Sequence, residues 1–213
     1  IEIKISDGAG ESNAVSKNVS VSGINDAPVL NNSIQPFLSD VLEDEANSGG
    51  TLVKDIIASV DNLINDPDQT ENTGIAVVGT STSNGDWQYS TDGGANWIPL
   101  VGVSDNTARL LAANNNTLIR FIPAPDFNGN INEGINFRAW DRTTGSNAIE
   151  ANVSINGGVT AYSAQKVSAS ILVTPVNDRP DFTASAPPAV NEDAGRVSIG
   201  SWAEFAPGAP FEE

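Results

Sequence analysis

Two sets of carboxylate and amide side chains occur in the same order along this chain. Each set has an aspartate at the end of an alternating apolar pattern, then an Asn-Asp pair before a proline, then a Glu-Asp pair. The first set is Asp7, Asn25, Asp26, Glu43 and Asp44, and the second is Asp141, Asn177, Asp178, Glu192 and Asp193. Calcium takes about six to eight hard oxygen ligands of these kinds. The chemistry that the two sets predict is therefore calcium binding.

A further acidic motif lies between the two sets. Asp66-Pro67-Asp68 has an Asp-x-Asp spacing that predicts a possible ion inside the central part of the chain, and a solvated polar loop is the alternative. The motif does not match an EF-hand loop, which needs glycine at its sixth place and glutamate at its twelfth. Counted from Asp66, those places hold Glu71 and Val77.

The strand patterns that lead into the two sets also repeat. Ile1–Asp7 aligns with Ile135–Asp141, and both stretches continue to Ser-Asn-Ala, at 12–14 and 146–148. The second copy has 18 more residues than the first between its aspartate and its Asn-Asp pair. Landmarks repeated in a fixed order indicate a modular array.

Module boundaries are expected at the Asn-Asp-x-Pro points, because proline removes a donor and holds the chain extended. Residues 1–26 are then the last strands of a preceding module. Residues 27–178 are one complete module, and residues 179–213 are the first strands of a following one.

Strand and turn signals dominate the complete module. Residues 167–173 alternate apolar and polar side chains, and turns such as Asp92-Gly93-Gly94 separate the patterns. Residues 51–63 have weak helical spacing and predict either one short helix or a strand with a turn. Together these signals predict an all-β fold of tandem immunoglobulin-like or cadherin-like sandwich modules.

In such a sandwich the loops cluster at the two ends. We therefore expect the elements of each set to meet at one junction between modules. The expected groups are Asp7, Asn25, Asp26 and Glu43 at the first junction, and Asp141, Asn177, Asp178 and Glu192 at the second.

Composition excludes several function classes. The chain has 27 acidic and 10 basic residues, a net charge of −17, and neither cysteine nor histidine. Such a charge repels nucleic acid and anionic membrane surfaces. Thiolate and imidazole metal sites and nucleophiles are impossible. The remaining catalytic option is a carboxylate pair, but the acids lie mostly at module ends, so no enzymatic activity is expected.

Aromatic residues flank the turn at Asp92. Trp87 and Tyr89 share one face of a strand, and Trp97 follows the turn on the next strand of a predicted hairpin. They predict either an aromatic pair in the core or a platform on which a sugar stacks. The core interpretation is favoured.

The chain resembles the cadherin-like and immunoglobulin-like extender repeats of giant bacterial surface adhesins of the RTX type. The two Asn-Asp-x-Pro stretches resemble the linkers between such repeats, and Ala139-Trp140-Asp141 resembles their Ala-x-Asp element. Glu43 and Glu192 resemble the early glutamate that binds calcium at module boundaries. Positions 9 and 143 lack the additional acidic groups of animal cadherins, which implies fewer ions at each junction.

The resemblance implies a calcium-stiffened spacer in a large extracellular bacterial adhesin or surface fibre, located at the cell surface. One alternative is a filament subunit whose partial end modules complete one another between chains. Another is a module that binds a glycan or a protein. The expected partners are neighbouring modules of the same or identical chains, with a possible surface ligand, no nucleic acid and no direct membrane insertion.

Overall fold

The structure of the chain is a computed structural model. It describes residues 2–3, 8–10, 15–16, 22–68, 73–179, 181–186 and 189–206. Asp7, which the sequence places in the first set of ligands, lies outside the described residues, as do Ile5, Val19 and Val21 of the predicted strands of the preceding module.

The described residues form mainly β-strands with one short helix, so the predicted all-β class is confirmed. The elements in chain order are β1 (Glu2–Ile3), β2 (Val15–Ser16), β3 (Val29–Leu30), β4 (Val41–Leu42), β5 (Thr51–Leu52), α1 (Val53–Ala58), β6 (Ile64–Asn65), β7 (Gly74–Thr80), β8 (Gly85–Ser90), β9 (Ile98–Pro99), β10 (Ala108–Ala112), β11 (Leu118–Pro123), β12 (Gly129–Trp140), β13 (Glu150–Ala151), β14 (Val167–Thr174), β15 (Asp181–Ala184) and β16 (Ala203–Ala206).

Two sheets form the central part of the protein. The larger has six strands in the order β13-β10-β7-β12-β14-β4, and the smaller has four in the order β5-β11-β8-β9. Neighbouring strands are antiparallel in both sheets except for β14 and β4, which are parallel. The pairs β1–β2, β3–β6 and β15–β16 form separate two-stranded sheets.

One hydrophobic core is built from alternating side chains of both sheets, which gives the centre of the protein a sandwich-like arrangement. Phe137 and Ile171 come from the six-stranded sheet, and Trp87 and Phe121 come from the four-stranded sheet. The rings of Trp87 and Phe121 are 4.8 Å apart between centroids. Gly134 allows a close approach here, because a Cβ at this position would lie 2.8 Å from the Trp87 ring.

The six-stranded sheet is also buried on part of its other face. Residues 142–166, which we call the cover loop, contribute Val153 and Tyr162 to a second core with Leu110 and Trp140. This face is buried over β7, β10 and the end of β12, whereas Leu172 on β14 stays 40% exposed. The extra residues of the second sequence copy fall in the interval that contains this loop.

A buried arginine fixes the cover loop to the sheet. Arg138, only 6% exposed, donates from Nη1 to the carbonyl oxygens of Ser163 (3.1 Å) and Ala164 (2.6 Å). Its Nε donates to Asp105 Oδ1 (2.9 Å), and Lys166 Nζ donates to Asp105 Oδ2 (3.0 Å). Burial raises the pKa of Asp105, but the hydrogen bonds from Lys166 and Arg138 outweigh it and lower the pKa.

The aromatic residues confirm the core interpretation. Trp87 is 1% exposed and Tyr89 is 4% exposed, so neither presents a ring to a ligand. Trp97 is half-buried, and the Arg120 guanidinium stacks over its ring at 4.1 Å from the centroid. The sugar platform that suggested glycan binding is therefore absent from this described hairpin.

The segment 51–63 combines the two predicted alternatives. β5 occupies its first two residues and pairs with β11, and α1 follows directly. The helix buries Val53 and Ile56. The helix has only six residues, fewer than two turns, which explains why the helical spacing in the sequence is weak.

The turn between β8 and β9 is organised by one carboxylate. Asp92 Oδ1 accepts the Asn96 N–H (2.9 Å) and the Ser90 hydroxyl (2.7 Å), and Asp92 Oδ2 accepts Asn96 Nδ2 (2.6 Å). These bonds, led by that of the Asn96 side chain, lower the pKa of Asp92 to about 2.

We therefore expect the Asp92 carboxyl to titrate near pH 2 in the folded protein, measured by its NMR chemical shift. The pKa of Asp92 lies below its ordinary value of 3.8. The ionised carboxylate therefore stabilises the folded turn fully above about pH 3.8, and this stabilisation is lost as the pH falls through about 2. Asn96→Ala should return the pKa towards its ordinary value. An Asp92 that titrates near 3.8 in the parent protein would contradict the bonding of this turn.

The last described hairpin has a different surface from the two large sheets. β15 and β16 pair with Phe182 opposite Phe205, and these two side chains are 66% and 71% exposed. Phe182 aligns in the repeat with Leu30, which is 2% exposed in the central core.

Within the described parts of the chain, no helix is long and apolar enough to cross a bilayer.

Candidate functional site

Strand direction decides at which end of the sheet each acidic residue lies. β12 and β14 are antiparallel, so Asp141, which follows β12, and Val176, which follows β14, lie at opposite ends. β4 runs parallel to β14, with Leu42 opposite Thr174, so Glu43 emerges at the same end as Val176. The acids are thereby divided into two groups, one beside each linker.

The first linker is held by a buried carboxylate. Asp141 is 2% exposed, and its Oδ2 accepts a hydrogen bond from Asn25 Nδ2 at 2.9 Å. The same amide group donates to the Thr160 carbonyl oxygen at 3.2 Å, and the Ala27 N–H donates to the Gly158 carbonyl oxygen at 2.8 Å. The linker is therefore bonded both to the end of β12 and to the cover loop.

The Asp-x-Asp motif belongs to this same group. The Asp26 N–H donates to Asp68 Oδ2 (2.7 Å), and the Asp68 N–H donates to Asp66 Oδ1 (2.9 Å). The sequence predicted that this motif lies inside the module, apart from the linkers. In the structure it lies beside the first linker. We call Asn25, Asp26, Asp66, Asp68 and Asp141 the first junction.

A local turn fixes the direction of the Asp141 side chain. Its Oδ1 accepts the Thr143 N–H (2.8 Å) and the Thr143 hydroxyl (2.7 Å). Arg142 between them has a φ of 65°, a left-handed conformation that is uncommon outside glycine. The other carboxylate oxygen is left to face the linker.

The second linker is held by a buried glutamate. Glu43 is 1% exposed, its Oε1 accepts the Val176 N–H, and its Oε2 accepts Asn128 Nδ2 at 2.9 Å. The Glu43 N–H donates to the Thr174 carbonyl oxygen at 3.1 Å. We call Glu43, Asn128, Val176, Asn177 and Asp178 the second junction.

The two linkers repeat one local contact. Asn25 Nδ2 lies 3.4 Å from the Asp26 carbonyl oxygen, and Asn177 Nδ2 lies 3.3 Å from that of Asp178. Both are long contacts between adjacent residues. The Asn-Asp pair therefore makes the same contact within itself at both linkers.

The predicted grouping of the acids was wrong for two residues. Glu43 was expected beside Asn25 and lies at the second linker, and Asp141 was expected beside Asn177 and lies at the first. The reason is that β4 is parallel to β14 whereas β12 is antiparallel to it.

The remaining predicted ligands are exposed to different degrees. Asp44, Asn177, Glu192 and Asp193 are exposed, and Asp178 is half-buried. Glu192 and Asp193 lie in a turn that the Ala194 N–H closes onto the Asn191 carbonyl oxygen. That turn follows the hairpin strand β15 and does not bring them into the hydrogen bonds described at Glu43.

Sequence reasoning missed two groups of this site. The Thr160 carbonyl oxygen has no sequence signal, because any residue supplies one. Asn128 precedes a glycine at the start of β12, which predicts a turn and says nothing about Glu43.

The oxygen atoms at both junctions are chemically suited to bind calcium. They are carboxylate, carboxamide and carbonyl oxygens, which are the ligands of that ion. Asn25 and Asn128 present Nδ2 to the carboxylates here, and rotation of each amide by half a turn presents Oδ1 instead. Among the described residues, no three Asp or Glu side chains lie close enough together to hold a metal ion, so any ion has to draw on amide and carbonyl oxygens as well.

Among the described residues, neither buried carboxylate has a cationic partner. No lysine or arginine of the described residues forms an ion pair with Glu43 or Asp141, whereas Asp105 has two such partners. Burying a carboxylate costs free energy unless hydrogen bonds and an opposite charge compensate it. Here the hydrogen bonds are present and the opposite charge is not.

In comparisons with known proteins, no family model, curated protein or solved structure matches this chain.

Proposed function

We propose that the protein is a structural spacer from an array of sandwich modules of the cadherin-like or immunoglobulin-like kind, stiffened by calcium at its linkers. One observation carries the proposal. At each end of the two central sheets, a carboxylate that is at most 2% exposed is hydrogen-bonded to the chain entering or leaving them. Such bonds fix the direction of the linker, which is what a spacer requires.

A divalent cation would supply an opposite charge beside Glu43 and Asp141, with which the described residues form no ion pair. At the first junction Asp141 would hold it together with the amide oxygen of Asn25 and the carbonyl oxygen of Thr160, because no three acidic side chains of the described residues lie close enough to share an ion. Glu43 and the Asn128 amide oxygen would hold it at the second, with Asn177 and Asp178 of the linker. The net charge of −17 makes neutralisation favourable for the chain as a whole, because like charges destabilise a compact state.

The proposed setting follows from the sequence resemblance and from the form of the junctions. A rod of such modules displays whatever lies at its tip at a distance from the cell surface, as part of a large extracellular adhesin. The partners of the spacer are then its neighbouring modules. Direct interaction with nucleic acid or insertion into a bilayer has no part in this function.

A second candidate function rests on the β15–β16 hairpin. Phe182 and Phe205 are largely exposed, although the residue aligned with Phe182 is a core residue. An apolar sheet face of this kind is completed by further chain, either its own or that of another copy. Completion by another copy gives the filament alternative, and concentration-dependent sedimentation distinguishes it from the spacer.

The spacer proposal is tested by small-angle scattering of the protein in calcium and in chelator. We expect a larger maximum dimension and a less flexible scattering profile in calcium, because the ion locks the linkers. Asp141→Asn should lose part of this response, whereas Asp55→Asn, an exposed acid on α1, should keep it. Superimposable profiles in the two conditions would refute stiffening by calcium.

A further inference from the structure

A polar groove lies on the part of the six-stranded sheet that the cover loop leaves open. Asn136 of β12 and Ser168 of β14 line it, and both alternate with core residues and therefore lie on the outer face of the sheet. The loop after β3 contributes Asn32 and Gln35, and the cover loop contributes Lys166. The groove has a volume of about 370 Å³, within the range of about 300–1,000 Å³ that is usual for small-molecule sites. We call it the amide groove.

A bulge in β12 shapes one side of the amide groove. Between its pairs with Ile171 and Ala169, β12 has three residues, 132–134, where β14 has one. The Gly134 carbonyl oxygen accepts the Ser81 N–H at 2.8 Å, which holds the bulge from the other side. The first two residues of the bulge are exposed and line the groove. Conserved backbone irregularities of this kind serve to re-aim side chains, often next to functional sites.

Three carboxamides of the groove are each held at one end by a hydrogen bond. Gln35 Nε2 donates to the Asn132 carbonyl oxygen. Asn132 Oδ1 accepts Asn130 Nδ2 at 2.8 Å, and Asn136 Oδ1 accepts the Ser168 hydroxyl at 2.8 Å. Within the described parts of the chain, the other polar atom of each amide makes no hydrogen bond. The groove therefore presents one positioned acceptor, at Gln35, and two positioned donors, at Asn132 and Asn136.

The charges of the groove select a neutral ligand. Among the described residues that line it, Glu133 is the single carboxylate, which is too few for a cation. Lys166 is bonded to Asp105 (3.0 Å), and the net charge of −17 repels anions. A hydroxyl group both donates and accepts, as the carboxamides do. Ile34 and Val167 offer apolar atoms beside them for the C–H groups of a ring.

We propose that the amide groove binds a neutral saccharide. Asn132 and Asn136 donate to its hydroxyl groups, and Gln35 and Glu133 accept from them. The groove lies midway along β12, between the two junctions, so modules joined end to end would leave it open. The inference adds a ligand to the protein and does not depend on calcium at the linkers.

The test applies the full chain, carrying a fluorophore at its amino terminus, to a microarray of neutral and acidic oligosaccharides. We expect binding to neutral oligosaccharides. Gln35→Ala and Asn136→Ala should each weaken it by about 2- to 10-fold, the effect of losing one hydrogen bond. The control is Asp86→Ala with Asn116→Ala, which removes an exposed acid and an exposed amide outside the groove and should bind as the parent does.

A second variant keeps the inference testable if these two are unstable. Asn32→Ala with Glu133→Ala removes two side chains of the groove that make no hydrogen bond within the described residues, so its thermal midpoint should match that of the parent. It should nevertheless bind more weakly. Three results overturn the inference: no binding on the array, binding to acidic oligosaccharides alone, or equal binding by the parent and this variant.

Calcium separates this inference from the proposed function. Binding on the array should be the same in calcium and in chelator, because no group of the junctions lines the groove. The groove variants should in turn keep the scattering response to calcium. Binding that requires calcium would place the ligand at a cation and overturn the assignment to the amide groove.

Discussion

Replacing Arg138 by leucine is expected to lower the free energy of unfolding by about 3–5 kcal/mol, the range for removing one partner of a buried ion pair. The substitution leaves Asp105 with Lys166 alone and deprives two carbonyl oxygens, of Ser163 and Ala164, of their donor. The cover loop then keeps its backbone hydrogen bonds to β12, such as that from the Ser163 N–H to the Ala139 carbonyl oxygen (3.0 Å), but loses those from the guanidinium. The second core beneath the loop is weakened as well.

Urea unfolding measures this effect. Arg138→Lys should fall between the parent and the leucine variant, because a lysine keeps the charge but not the planar set of donors. Arg196→Leu, at an exposed position, should change the free energy by no more than about 0.5 kcal/mol. A loss of similar size in both leucine variants would show that Arg138 does not anchor the loop.

Replacing Glu43 by alanine is expected to lower the free energy of unfolding by about 2–4 kcal/mol, because each buried donor left unpaired costs about 1–3 kcal/mol. The donors are the Val176 N–H and the Asn128 amide. Both lie where the second linker leaves the sheet, so the linker should also lose its fixed direction.

Glu43→Gln separates hydrogen bonding from charge at the same position. Glutamine keeps an acceptor for the Val176 N–H. The Asn128 amide can rotate so that its oxygen accepts a hydrogen bond from the side-chain N–H of the glutamine. In chelator its stability should therefore stay within about 1 kcal/mol of the parent. If glutamine and alanine were equally destabilising in chelator, the hydrogen bonds of Glu43 would not be the reason for its burial.

Alternation in the sequence predicts which face of a strand is buried, and it does so correctly here. Trp87 and Tyr89 share a buried face as their spacing requires, and the Asp92-Gly93-Gly94 turn joins two antiparallel strands. The two Asn-Asp pairs also make the same contact between the Asn amide and the following carbonyl oxygen, because that contact is local.

Alternation says nothing about which strands pair or in which direction. The parallel pairing of β4 with β14 consists of Val173 with Val41 and Thr174 with Leu42, and a parallel bridge between Phe37 and Ser170 precedes it. These few contacts decide that Glu43 serves the second linker. Sequence reasoning therefore identified the two buried carboxylates and the linker residues of the candidate site, assigned the two carboxylates to the wrong ends, and missed Asn128 and Thr160.

The cover loop was outside the reach of sequence patterns for a different reason. Its buried residues, such as Val153 and Tyr162, have neither strand nor helix spacing, and one polar residue of β12, Arg138, holds it in place. Arg138 alternates as an outward-facing residue of its strand. Arg138 is buried because the cover loop lies over this face of the sheet.

Thermal unfolding in calcium and in chelator tests the central claim most directly, with the parent, Glu43→Gln and Asp141→Asn compared. At calcium about 100-fold above its dissociation constant, each bound ion adds about 2.7 kcal/mol, so the ions at the two junctions should together raise the midpoint of the parent by roughly 11–22 °C for a chain of this size. Each variant should lose part of that rise, because each removes one charged ligand without removing its hydrogen bonds. Identical midpoints for the parent in calcium and in chelator would contradict the claim that the two buried carboxylates bind cations at the linkers.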